Sequence, residues 1–94
     1  MSKPDTLIDT DNVRVRIMTL APCAKTALHR HTEVHDHMVC LTGEISVHRL
    51  DPEALIHLLP GELCSIEVGC VHDVINRSDA QPARYLIIQG VGRY

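Results

Sequence analysis

The sequence predicts an all-β domain: short runs of β-branched and aliphatic residues alternate with turn residues along nearly the whole chain, and no stretch carries a helical period. The connections between runs are only a few residues long, which calls for antiparallel hairpins.

Eight strands are predicted in order: Val13–Leu20, Ala27–His31, Asp36–Leu41, Glu44–Leu50, Leu55–Leu59, Leu63–Glu67, His72–Asn76 and Arg84–Gln89. The reversals between them carry Gly, Pro or Asp, as in Thr42-Gly43-Glu44, Asp51-Pro52-Glu53-Ala54, Pro60-Gly61 and Ser78-Asp79-Ala80-Gln81-Pro82. If Asp51–Ala54 forms the four-residue loop of a hairpin, His48 and His57 stand opposite each other as an ordinary surface pair. Runs such as Tyr85-Leu86-Ile87-Ile88 and Val39-Cys40-Leu41 alternate weakly, so both faces of those strands are expected to be covered.

A chain of 94 residues supports one domain, here 1–94 with the barrel over about 13–90. Its 45% hydrophobic and 22% charged residues are those of an ordinary globular protein, not a disordered one. With no Trp, no Phe and two Tyr, the core is built from aliphatic side chains. So small a core leaves little stability in reserve, and a metal ion or a second subunit would supply more, so a homodimer is expected. The formal charge of −3 and the shortage of aromatics exclude a nucleic-acid surface. No run approaches a membrane span or a signal peptide, and a cytoplasmic location is expected by default. In that reducing setting Cys23, Cys40, Cys64 and Cys70 read as small buried hydrophobes rather than disulfides.

The strongest local signal is histidine density. Four of the seven histidines, His29, His31, His35 and His37, fall within nine residues. On a strand, positions i and i+2 share a face, so His29 and His31 can offer two imidazoles to one ion. Downstream, Gly61 is followed by Glu67-Val68-Gly69, then His72 and Asn76.

Together these stretches resemble the two motifs of the cupin superfamily: His-x-His, an acidic ligand and Gly in the first, and Gly, a turn, His and Asn in the second. The resemblance covers about Leu20 to Gln89. It implies a double-stranded β-helix, a jelly-roll-like barrel, with a metal held inside one mouth. Position by position it assigns His29, His31 and His72 as ligands. The fourth is open: the family spacing reaches Asp36 counting back from Gly43, whereas the shorter interval after His31 reaches His35, and His35 is slightly favoured because imidazole matches the reach of the family's Glu. Glu67 stands where the family usually has Pro and reads as an exposed turn residue. His37, one position past Asp36, reads as a surface or interface histidine.

One divalent transition metal per chain (Fe, Mn, Ni, Zn or Cu) is therefore expected, with coordination positions left open for a small molecule. Met38, Cys40, Val74 and Asn76 share strand parity with the ligands and are expected to line a narrow pocket. The function implied is a metal-dependent enzyme acting on a small oxygen-bearing molecule, dioxygenase- or isomerase-like, or else a non-catalytic metal-containing binding or sensing module. No dedicated general base stands out, although Glu33 and Glu67 are near in the chain.

Overall fold

The computed structural model describes residues 5–10, 12–28 and 34–91. They form eight strands: β1 (Asp5–Asp9), β2 (Val13–Leu20), β3 (Val34–Thr42), β4 (Ile45–Arg49), β5 (Ala54–Leu58), β6 (Leu63–Ile66), β7 (His72–Asn76) and β8 (Ala83–Val91). Two sheets face each other, one in the order β1-β2-β8-β3-β6 and one in the order β5-β4-β7. This is the double-stranded β-helix that the motifs imply.

The β2 and β7 ranges coincide with those predicted. Two elements differ. A strand over Asp5–Asp9 pairs antiparallel with β2, although Asp5-Thr6-Leu7-Ile8-Asp9 is too short and polar-ended to stand out in sequence. The strand predicted over Ala27–His31 is absent at Ala27 and Leu28; its remaining residues lie outside the described ones. Just before it, Lys25 bridges Ile75, the Thr26 amide donates to the Val74 carbonyl and the Asn76 amide to the Ala24 carbonyl. This segment thus runs antiparallel alongside β7.

Alternation fixes what each strand buries. Met38 and Cys40 of β3, Tyr85 and Ile87 of β8, Ile45 and Val47 of β4, Val74 of β7 and Cys64 and Ile66 of β6 all point between the sheets and join one core. Each fully buried aliphatic side chain there stabilises the fold by about 1.5–3 kcal/mol. The four cysteines are free thiols; Cys40 and Cys64 are buried and Cys70 half-buried, but Cys23 is exposed, because it sits in the turn after β2 rather than on a strand.

The β4–β5 hairpin shifts the expected histidine pairing by two residues. Arg49 pairs with Ala54, so Leu50–Glu53 is the loop; His48 then opposes Leu55, and His57 opposes Ser46. His48 instead holds Asp73 at 3.1 Å and Glu53 at 2.9 Å, while His57 contacts Ser46 Oγ at 3.1 Å and Glu44 at 3.3 Å.

Gly43 turns β3 into β4 with φ of +75°, and a Cβ there would lie 2.9 Å from the Pro82 carbonyl oxygen. Gly43→Ala is therefore expected to lower stability by about 1–3 kcal/mol in urea denaturation. Tyr85 is 1% exposed, and its phenol is pushed up to about 12, first by burial and then by the Asp36 charge, with Arg16 partly offsetting both. Its folded value lies above the ordinary 10, so the protonated phenol favours the fold below pH 10 and that contribution is lost as pH rises towards 12. Alkaline titration followed by phenolate absorbance should show Tyr85 ionising near pH 12 in the folded chain and near 10 in denaturant.

Candidate metal centre

The two sheets bring His72, the first residue of β7, against Asp36, near the start of β3. His72 Nε2 lies 2.9 Å from Asp36 Oδ2, and both side chains are buried, at 2% and 1% exposure. The other ring nitrogen is committed as well: Nδ1–H donates to the Cys70 carbonyl at 2.9 Å, which the turn Glu67–Cys70 presents. A carbonyl only accepts, so this bond places a proton on Nδ1 and aims Nε2 at the carboxylate.

Asp36 is held on its far side too. Gln89 Nε2 donates to Asp36 Oδ1 at 3.2 Å, and Arg16 donates to Gln89 Oε1 at 2.8 Å. Asp36 and Gln89 are register partners on β3 and β8, so this bracket follows from the ladder itself. Burial lowers the His72 pKa, but the Asp36 hydrogen bond, the Cys70 carbonyl and the Asp36 and Asp73 charges outweigh it, and the net shift is upward. Both ring nitrogens of His72 thus face acceptors, the Cys70 carbonyl and the Asp36 carboxylate.

The pair also fits an ion. Two donors each about 2.1 Å from one metal, at right angles, stand about 3 Å apart, and the observed separation is 2.9 Å. Imidazole nitrogen and carboxylate oxygen are a donor set for first-row divalent metals. Among the described residues no three His, Cys, Asp or Glu side chains converge; His29, His31 and Glu33 lie outside the described residues.

His35 differs from its expected place. Odd positions of β3 face outward, and His35 is exposed there, its ring stacked against that of His37 at 6.5 Å; His37 in turn contacts Ser65 Oγ at 2.7 Å. The slight preference for His35 finds no support in its position: Asp36, not His35, is the side chain brought to His72, across the space between the two sheets.

The expected pocket-lining residues are also placed differently. Met38, Cys40 and Val74 are 0–2% exposed and pack in the core, forming a floor rather than an open wall. Asn76 sits at the opposite end of β7 from His72. Its amide donates to the carbonyls of Leu20, Ala21 and Gln81, and its Oδ1 accepts from the Ser78 amide, so it pins the loop into β8. Glu67 is an exposed turn residue, as expected.

Sequence reasoning missed Gln89, Arg16 and Arg49 as interior polar residues. The signal was present in Leu86-Ile87-Ile88-Gln89, where a lone amide continues the inward parity of Tyr85 and Ile87, and in Arg16, two residues from Met18 on β2.

Comparison with known proteins bears on the fold. The cupin domain family matches residues 16–89. A conserved double-stranded β-helix protein of Klebsiella pneumoniae, 22% identical, superposes with a TM-score of 0.82 over 97% of this chain and 79% of its own. A Thermus thermophilus protein is 24% identical, with a TM-score of 0.82 over 95% of this chain and 82% of its own. A cupin-2 domain protein of Shewanella frigidimarina is 16% identical, with a TM-score of 0.77 over 94% of this chain and 79% of its own. No curated protein matches the chain. The family match spans most of the sequence, and the two facing sheets have the architecture its motifs imply: the chain belongs to the cupin family.

Proposed function

We propose that this cupin binds one divalent transition metal through Asp36, His72, His29 and His31, and uses it to bind or transform a small oxygen-bearing molecule. The observation that carries this reading is the Asp36–His72 contact: a carboxylate oxygen and an imidazole nitrogen, buried at one mouth, 2.9 Å apart, each oriented by a further hydrogen bond. Ligating histidines and carboxylates are commonly held in this way, and loss of such a partner typically weakens a site tenfold or more.

Chain length supports the other two ligands. The segment bridged to β7 at Lys25 runs towards His72, and β3 begins at Val34, two residues before Asp36. His31 is three residues from both Leu28 and Val34, and three extended residues reach at most about 11 Å. In this proposal a connection of that length lets His29 and His31 supply the other two donors.

A bound ion would supply Lewis acidity towards an oxygen donor. The chain's own residues do the rest: Cys70 fixes the His72 tautomer, Gln89 orients Asp36, and the Met38, Cys40 and Val74 floor keeps water from entering below. Among the described residues the interior carboxylate and imidazole are already used in the Asp36–His72 pair, and Tyr85 stays protonated to about pH 12. Glu67, which lines a cleft with Cys70 and Arg49, is the described carboxylate placed to act as a base at that end of the barrel.

The expected homodimer is part of this proposal. The outer face of the five-stranded sheet carries Val15, Ile17, Val39, Leu86 and Ile88 at alternate positions, a continuous apolar surface suited to the same face of a second copy. Of the described residues, no helix is long and apolar enough to cross a membrane.

Metal per chain, measured by plasma mass spectrometry on untagged protein, is expected to be near one. It should fall to background in Asp36→Ala and in the His29→Ala/His31→Ala double variant, and stay unchanged in His35→Ala; equal loss in His35→Ala would return the fourth ligand to that residue. Unchanged content in the double variant, with the β-rich circular dichroism preserved, would sink the site. Sedimentation should give about twice the 10.5 kDa chain mass, and Ile88→Glu should reduce it to that of one chain.

A further inference from the structure

A second pair of nitrogen donors lies on the other side of β3. His35 and His37 flank Asp36 along the strand, so where Asp36 points between the sheets they point together out of the five-stranded sheet. Their rings lie side by side, with centroids 6.5 Å apart and planes 24° from parallel. His35 is exposed and His37 half-buried.

The two imidazoles are held differently. His37 Nδ1 lies 2.7 Å from Ser65 Oγ on the neighbouring strand β6, where Ser65 is the register partner of His37. With the hydroxyl accepting from Nδ1–H, Nε2 keeps its lone pair for a further partner, the arrangement in which metal-binding histidines are commonly oriented. Among the described residues no side chain hydrogen-bonds the His35 ring.

Both rings open onto one cleft of about 330 Å³, lined by Val13, His35, His37, Ile88 and Gly90. Gly90 is the register partner of both Val13 and His35, so the middle of that row lacks a side chain. Of the lining residues, only the two histidines carry polar side chains.

That donor set decides the ligand. Imidazole nitrogen suits zinc, nickel and copper, whereas magnesium and calcium call for oxygen. Two rings that share one ion at a tetrahedral angle, each nitrogen about 2.1 Å from it, have centroids about 5 Å apart. Closing the gap takes a movement of about 1.5 Å, which the exposed His35 supplies by turning about its side-chain torsions while His37 stays on Ser65.

We propose that His35 and His37 form a second transition-metal site on the outer face of the sheet, taking one zinc, nickel or copper ion through two imidazoles, with water completing its coordination. The site goes beyond the barrel centre and does not rest on it, since the two sets of donors project from opposite faces of β3. Held by two protein donors, its ion exchanges freely; the site fills when metal is added, empties on dialysis and adds nothing to the metal content expected of purified protein. The cleft shares Ile88 with the apolar surface proposed for the dimer and adjoins that contact.

The test is a titration of the full chain with zinc chloride, followed by the nitrogen-15 shifts of the histidine imidazoles, which report each ring separately. His35 and His37 are expected to shift together and saturate with one zinc per pair, and not to respond to magnesium chloride. His57, already in contact with Ser46 and Glu44, serves as the internal reference. Either single variant, His35→Ala or His37→Ala, should abolish the saturable shift of the ring that remains, and Ser65→Ala should weaken binding by about tenfold or more. The His29→Ala/His31→Ala variant should leave the response intact. Shifts no larger than that of His57, or one ring responding fully without the other, would overturn the site. Loss of the response in His29→Ala/His31→Ala would overturn it as well, by returning His35 to the barrel centre. Because the rings are read individually, the result stands whether or not the barrel retains a metal of its own.

Discussion

Asp36 and His72 stand on different sheets, and their contact is where the two halves of the barrel agree on a geometry. It is a costly arrangement: removing one partner of a buried ion pair commonly destabilises by about 3–5 kcal/mol, because the other is left charged and alone. The surroundings are organised around meeting that cost. The Cys70 carbonyl, Gln89 and Arg16 form a relay of hydrogen bonds that leaves neither group facing bare hydrocarbon. The relay depends on the β3–β8 register, since a slip of one residue would turn Asp36 to solvent and bring His35 or His37 inside.

That register explains what could and could not be read in advance. Val13–Leu20 and His72–Asn76 were legible because turn residues bound them sharply. His35-Asp36-His37, in contrast, is polar throughout, and Met38-Val39-Cys40-Leu41 is apolar throughout, so local alternation does not say which parity faces inward. The choice is made by long-range pairing: Asp36 opposes Gln89 on one side and Ile66 on the other. The β4–β5 hairpin teaches the same lesson at smaller scale. Beginning the loop at Leu50 instead of Asp51 and ending it at Glu53 changes the partner of every following residue, so His48 opposes Leu55 rather than His57, while the β4–β7 ladder sets it beside Asp73.

The interior also divides by chemistry along the barrel. At one end, Leu20, Ala83 and Ile45 close an apolar plug, with Asn76 tying three backbone carbonyls together beside it. At the other, Arg16, Arg49, Asp36, His72 and Gln89 form a polar ring on that plug. Family resemblance pointed to His72 and offered Asp36 as an alternative ligand; the arginines and Gln89 came into view only once strand parity was known. Charge, shape and donor type in the ring are thus properties of this chain's own sequence laid over a shared scaffold.

The position of β8 carries a consequence for how the chain is made. Ala83–Val91 lies between β2 and β3 and pairs with both, so the strands holding Arg16 and Asp36 share no ladder until it arrives. During synthesis the hairpin of β4 and β5 can form from neighbouring residues, while β2 and β3 wait with open edges for a partner more than forty residues downstream. Late pairing of this kind slows folding and leaves apolar strands exposed meanwhile. Until β8 emerges from the ribosome, β2 and β3 each keep an unpaired edge, the kind of edge on which nascent chains aggregate.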